Sequence, residues 1–225
     1  MSLQYSPHTL IPQRNHMKIL IADDHTIVRE GVKMLLAESY PLAEITDVSD
    51  SASLIKQAGM GKWDVIICDI SMPPGDSGIE AVKQIKERSP KTPVLILSMH
   101  APDQYALRAI KAGAMGYLNK GTATFELVKA VNQVLTGKKY LSQDVAFILA
   151  DAMEQSNDHT IAQLSDREFE IFKLLASGKV ICDIAKQLML SNNTVSNFRL
   201  RVFEKMGFKN NLELIRYAIN NKLVN

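Results

Sequence analysis

The chain has 225 residues, 46% of them hydrophobic and 22% charged, with 11 Gly and 8 Pro; it is long enough for one large domain or two small ones, and too apolar and too varied to be disordered, collagen-like or of low complexity. No apolar run approaches the ~18 residues that span a bilayer. Two distant cysteines, Cys68 and Cys182, exclude a disulfide framework or a cysteine-ligated zinc site as the organising feature.

Net charge is +2 but unevenly spread. Residues 1–159 hold 16 Lys and Arg against 18 Asp and Glu, a net −2, whereas residues 160–225 hold 10 against 6, a net +4. The asymmetry points to nucleic acid at the C-terminal end and a cation or other partner at the N-terminal end. Residues 1–16 lack a charged segment followed by an apolar one, so they read as a leader or an added extension, not a secretory signal. The remainder is expected to be soluble and cytoplasmic.

Five short apolar runs follow, at 18–22, 44–48, 64–68, 93–97 and 115–118. The first, third and fourth are continuous rather than alternating, as in strands covered on both faces. Helix-period segments at 26–38, 51–58, 78–88, 103–112 and 124–135 lie between and after them. Strand and helix alternate five times, which predicts a doubly wound parallel α/β sheet. Gly137 opens a turn, and Ser142 is placed to cap one more helix ending near Glu154. Residues 155–160 are polar and read as a flexible linker. Ser165 and Glu168 form a capping box, and helical periods continue at 181–190, 193–206 and 211–221 with no further strand. The expected organisation is an α/β domain over 17–136, a linker with a helix over 137–163, and a small all-α domain over 164–225.

In open parallel sheets, functional groups collect beyond the carboxyl ends of the strands. Here those positions are Asp23 and Asp24, Asp69, Ser98 and Lys120. Three carboxylates crowded together need a cation, and oxygen ligands of this kind suit Mg²⁺. An aspartate in such a pocket can attack a phosphoryl group, with Lys120 and the Ser98 hydroxyl left to meet the transferred oxygens.

These residues resemble those of a two-component response regulator of the NarL/FixJ type. The receiver motifs are Ile21-Ala-Asp-Asp-His25, Asp69-Ile-Ser-Met-Pro73, Leu97-Ser98 and Gly116-Tyr-Leu-Asn-Lys120. The resemblance implies a flavodoxin-like receiver with Asp69 as phosphoacceptor. It also implies Mg²⁺ or Mn²⁺ held by Asp23, Asp24, Asp69 and the Ser71 carbonyl, Ser98 as switch hydroxyl and Tyr117 as switch aromatic. Two departures stand out. Gly121 follows the lysine where many receivers have a cis-proline. The segment between Pro73 and Gly78 is one residue longer than usual, with Gly75 expected to absorb the insertion in a turn.

The C-terminal residues Leu164-Ser-Asp-Arg-Glu168, Gly178, Asp183-Ile-Ala185, Leu190-Ser191, Thr194-Val195, Lys205-Met-Gly207 and Leu212-Glu213 look like a LuxR-type helix-turn-helix with its turn near 190–192. At about 100° per residue, Phe198, Val202 and Met206 share the buried stripe of Val195. Asn193, Ser196, Asn197, Leu200 and Glu204 fall on the opposite side, with Arg201 at its flank. The expected DNA contacts are Asn193, Thr194, Ser196, Asn197, Leu200 and Arg201, with Arg199 and Lys205 nearer the phosphates. Ser196 and Phe198 replace the basic residue and histidine common in the family, so the half-site preference is open. Leu212, Ile215, Ala218 and Ile219 form an apolar stripe that serves either dimerisation or the domain's own core.

The reading is therefore a phosphorylation-switched transcription regulator that is not an enzyme. Its partners are a sensor histidine kinase and double-stranded promoter DNA, it dimerises when phosphorylated, and it has no membrane contact. Two alternatives remain. One is an aspartate-nucleophile phosphohydrolase, disfavoured because Ser71 stands where such enzymes place a second acid. The other is a regulator working through protein contacts without phosphorylation.

Overall fold

The computed structural model describes residues 17–72, 77–154, 161–221 and 223–224. The N-terminal extension, the turn at Gly75 and the polar linker 155–160 lie outside the described residues. The first domain is a five-stranded parallel sheet in the order β2-β1-β3-β4-β5, from strands β1 (Lys18–Ala22), β2 (Glu44–Val48), β3 (Val65–Cys68), β4 (Val94–Ser98) and β5 (Gly116–Asn119). The three continuous apolar runs are the three central strands, and each is buried on both faces apart from Lys18 at the start of β1. Helices α1 (Thr26–Ser39) and α5 (Ala123–Leu135) pack on one face; α2 (Ser51–Met60), α3 (Gly78–Arg88) and α4 (Pro102–Lys111) cover the other.

Strand β4 runs one residue past its apolar run, because Ser98 still pairs in register with Asn119. The hydroxyl at that position therefore sits on the last rung of the sheet rather than in a loop. Tyr140 bridges back to Gly116 and is buried in the α1/α5 core. Helix α6 (Gln143–Glu154) follows, with Ser142 Oγ accepting from the Val145 amide at its start. It packs on α4 and sends Val145 into the opposite core. The stretch after residue 136 is thus more closely tied to the sheet domain than a linker reading suggests.

The second domain is all-helical: a 3-10 turn at Ile161–Gln163, then α7 (Asp166–Ala176), α8 (Ile181–Leu188), α9 (Asn192–Met206) and α10 (Asn211–Asn220) around one core. Both halves of the capping box form at α7, with the Ser165 side chain on the Glu168 amide and the Glu168 carboxylate on the Ser165 amide. Helix α8 stops at Leu188, two residues short of its apolar periodicity. Met189 there takes a left-handed conformation (φ 53°) and turns the chain toward Ser191, which caps α9 through the Thr194 amide at 3.0 Å.

Candidate functional site

The loops after β1, β3 and β5 meet at one end of the sheet. Asp23 and Asp69 are only 2% and 3% exposed, and the Lys120 ammonium lies 2.7 Å from Asp23 Oδ2 and 2.8 Å from Asp69 Oδ2. The Ile70 amide donates to Asp69 Oδ1 at 2.7 Å, so both acceptor oxygens are oriented. Asp24 stands at the rim, with His25 Nδ1 at 2.6 Å from its Oδ1. Ser98 is fully buried and its hydroxyl accepts the His100 amide at 3.1 Å. The structure thus brings together Asp23, Asp24, Asp69 and Lys120, and sets Ser98 on the neighbouring strand end.

Supports for this loop cluster were not singled out from the sequence. Arg29 donates to the Asp23 carbonyl at 2.7 Å and to Asp47 at 3.0 Å, pinning the acidic loop to β2. Gly78, the first residue of α3, packs directly on the backbone of Asp69; a methyl group there would run into the Asp69 carbonyl oxygen. Its place at the head of a helix after a Pro/Gly-rich loop was the one available signal.

Burial raises the Asp69 carboxyl above the usual range and Asp23 adds to this, while Lys120 opposes it. Burial draws the Lys120 ammonium down, but its bonds to Asp23 and Asp69 more than reverse that, and its affinity for the proton is raised. Among the described residues the pocket therefore sets the Lys120 ammonium against three acids. Asp23 Oδ2 and Asp24 Oδ1 are buried, and their close partners are the Lys120 ammonium at 2.7 Å and the His25 ring at 2.6 Å. Ligand atoms of Asp23, Asp24, His25 and Asp69 all lie within 4.8 Å of one another. Such an oxygen-rich set, with more carboxylate oxygens than donors to meet them among the described residues, fits a hard divalent ion.

Tyr117 lies inward, 1% exposed, with its hydroxyl donating to the His100 carbonyl at 2.9 Å and bonding to the Ser98 side chain. Burial pushes its phenol up to about 12. The His100 carbonyl also accepts from Asn119 at 3.3 Å, and its Nε2 lies 3.1 Å from Ser71 Oγ. The His100 ring packs on Tyr105 with centroids 4.7 Å apart, and Tyr105 meets Phe169 of α7 edge-on at 5.3 Å. Beside this chain of rings, Arg108 of α4 is buried against α7. Its Nε donates to Asp166 at 2.9 Å, its other nitrogens donate to the carbonyls of Ile161 and Leu164, and its guanidinium lies 4.8 Å over Phe169. Lys83 of α3 takes the second oxygen of Asp166 at 2.9 Å, and Lys173 reaches Gln104 at 2.7 Å. The helical domain is thus docked on α4 through its first helix.

Helix α9 keeps its opposite side free. Asn193, Asn197, Leu200 and Arg201 are exposed, and Ser196 is half-buried. Val195, Val202 and Met206 are buried as the helical wheel predicts. Phe198 is only partly so, packed at the core's edge with Arg201 5.7 Å from its ring centroid. Two expected contacts also have internal partners. The Thr194 hydroxyl is 2.8 Å from the capping Ser191 hydroxyl, and Lys205 Nζ is 2.6 Å from Glu168 Oε2. On α10, Leu214 and Ala218 face the core, while Leu212 and Ile219 are exposed.

Comparison with known proteins accounts for both halves. Residues 19–132 match the family described as "Response regulator receiver domain", and residues 162–218 that described as "Bacterial regulatory proteins, luxR family". The chain is 31% identical over 211 residues to response regulator UvrY of Escherichia coli, covering 93% of this chain and 96% of UvrY. It is 34% identical over 216 residues to the oxygen regulatory protein NreC of Staphylococcus epidermidis, covering 92% and 99%. Among solved structures, the RcsB response regulator of Salmonella typhimurium superposes with a TM-score of 0.66 at 28% identity, covering 92% and 98%. RcsB from Salmonella enterica serovar Typhimurium bound to a promoter in the presence of a phosphomimetic gives 0.58 at 29%, covering 90% and 97%.

Proposed function

The chain belongs to the response regulators that join a receiver domain to a LuxR-type DNA-binding domain, and on that footing we propose that it is switched by phosphorylation of Asp69. The observation that carries this reading is the pocket itself: a buried aspartate held by Lys120, with the ligand atoms of two further acids within 4.8 Å. The phosphoryl donor is a sensor histidine kinase, and the protein acts in the cytoplasm on promoter DNA as a homodimer. The domains are 17–136 for the receiver, 137–163 for the connecting segment and 164–225 for the DNA-binding domain.

Asp23, Asp24, Asp69 and the Ser71 carbonyl would hold Mg²⁺ or Mn²⁺, which when bound offsets charge on the transferred group. Asp69 supplies the attacking oxygen. Its bond to phosphorus forms as the bond to the donor's nitrogen breaks, giving an aspartyl phosphate. Lys120, already on Asp69 Oδ2, stays to neutralise a phosphoryl oxygen. The Ser98 hydroxyl turns to donate to another, and this rotation shifts the oxygen that accepts the His100 amide. Tyr117 is inward already, so the part free to move is the His100 segment, and through Tyr105 that segment touches Phe169 of the DNA-binding domain. Phosphorylation thus weakens the docking of α7 and frees the DNA-binding domains to pair. Ser71, small and neutral two residues past the acceptor, offers no acid for rapid turnover, so the chain is a switch and not a phosphatase.

The test pairs a phosphate-release assay with DNA binding, each with and without a small phosphodonor. Donor-dependent DNA binding with slow phosphate release supports the reading. Rapid catalytic release, or binding indifferent to the donor, overturns it.

A further inference from the structure

The exposed side of α9 has a composition that restricts what it can read. At about 100° per residue, Asn193, Asn197 and Leu200 lie within about 60° of one another, opposite the buried Val195. Leu200 is 62% exposed on this otherwise polar side. A single exposed leucine is ordinary on a protein surface; this one shares the reading face with two carboxamides, Asn193 and Asn197.

Two of the helix's three cations, Arg199 and Lys205, are engaged elsewhere. Arg199 donates to Asn211 at 3.1 Å and its guanidinium lies 4.6 Å over Phe203. Lys205 is paired with Glu168. Arg201 lies at the flank, near the Phe198 ring. Direct reading of guanine calls for an Arg or Lys aimed at its O6 and N7, and the middle of this face has neither. A carboxamide matches the N6 and N7 of adenine, and an exposed aliphatic group matches the methyl of thymine. Glu204 shares the side but lies beyond the N-terminal turns that reach base edges in helix-turn-helix docking.

We infer that this chain recognises an A·T-rich half-site in the major groove, with Leu200 seated on thymine methyls and Asn193 and Asn197 paired to adenines. The inference rests on α9 being the reading helix. It names two bases and the atoms that distinguish them.

The experiment selects duplexes from a randomised pool with the full-length protein, phosphorylated by a small phosphodonor, and then alters the selected DNA chemically. The expected motif is A·T-rich. Replacing a contacted thymine by deoxyuracil removes only the methyl and is expected to weaken binding about fourfold. That penalty disappears in Leu200→Ala, whose helicity is checked by circular dichroism. Replacing a contacted adenine by its 7-deaza analogue weakens binding in the wild type but not in Asn197→Ala. A guanine-rich motif overturns the inference, as does a deoxyuracil penalty that survives Leu200→Ala. If Leu200→Ala and Asn197→Ala both select the wild-type motif with undiminished affinity, α9 is not the reading helix and the underlying assignment fails instead.

Discussion

Arg108 and Asp166 form a buried ion pair, 2.9 Å from Nε to Oδ1, that ties the receiver's fourth helix to the first helix of the DNA-binding domain. Both side chains are under a tenth exposed, and the remaining guanidinium nitrogens are satisfied by backbone carbonyls of the docked domain. Removing Asp166 leaves the buried Arg108 guanidinium with backbone carbonyls only, at a cost of about 3–5 kcal/mol, whereas removing Arg108 leaves Asp166 still paired with Lys83 and costs less. That cost falls on the docked arrangement alone, because the undocked domains expose both groups to water. Arg108→Ala and Asp166→Ala are each expected to increase the radius of gyration in solution scattering and to raise DNA affinity several-fold without a phosphodonor. Scattering profiles identical to wild type would show that the pair is not what holds the domains together.

Gly78 provides a second test, local to the pocket. Because a side chain there meets the Asp69 backbone, Gly78→Ala must push the β3–α3 loop away from the acceptor. Overpacking of this kind costs about 1–3 kcal/mol. The expected outcome is a folded receiver that takes up phosphoryl groups from a small donor far more slowly than wild type. A wild-type rate would mean that the loop absorbs the methyl group without moving Asp69.

For the metal, Asp24→Asn keeps the shape of the pocket and removes one negative charge. Mg²⁺ affinity measured by calorimetry is expected to fall roughly tenfold or more. An unchanged titration would reduce Asp24 to a rim residue without a ligand role.

The Glu168–Lys205 pair predicts a pH dependence in the DNA-binding domain. Burial raises the Glu168 carboxyl, but Lys205 and the Ser165 amide lower it further, so its folded value lies below the unfolded one. A depressed carboxylate stabilises the fold above its unfolded pKa, and this contribution is lost as pH falls through the folded value. Glu168→Gln is therefore expected to destabilise the domain by about 1–3 kcal/mol at neutral pH. The gap to wild type should close in acid. Urea melts with a pH-independent gap would contradict the assignment.

How far the sequence could be read depended on whether a feature is local. Strand and helix bounds agree within two residues, because apolar runs and the capping residues Ser142 and Ser165 are chain-local signals. The pocket was legible for a related reason: parallel topology carries the ends of separate strands to one edge. Lys205 was less so, since a wheel gives its angle but not the buried carboxylate on another helix that claims it. The docking surface was not legible at all. Arg108 looks like any cation on an amphipathic helix and Asp166 like a first-turn acid, and nothing in the chain between them announces that they meet. Helix α6 was visible as a helix, whereas its packing on α4 is a tertiary fact.

The central claim is that phosphorylation of Asp69 controls DNA binding, and one paired measurement tests it most directly. Wild type and Asp69→Asn are incubated with a small phosphodonor and divalent cation. Intact mass and affinity for a selected duplex are then read on the same samples. The account predicts an acid-labile phosphoryl adduct and tighter DNA binding for wild type, with neither change in Asp69→Asn. The same adduct on the variant, or an equal gain in its DNA affinity, would contradict it.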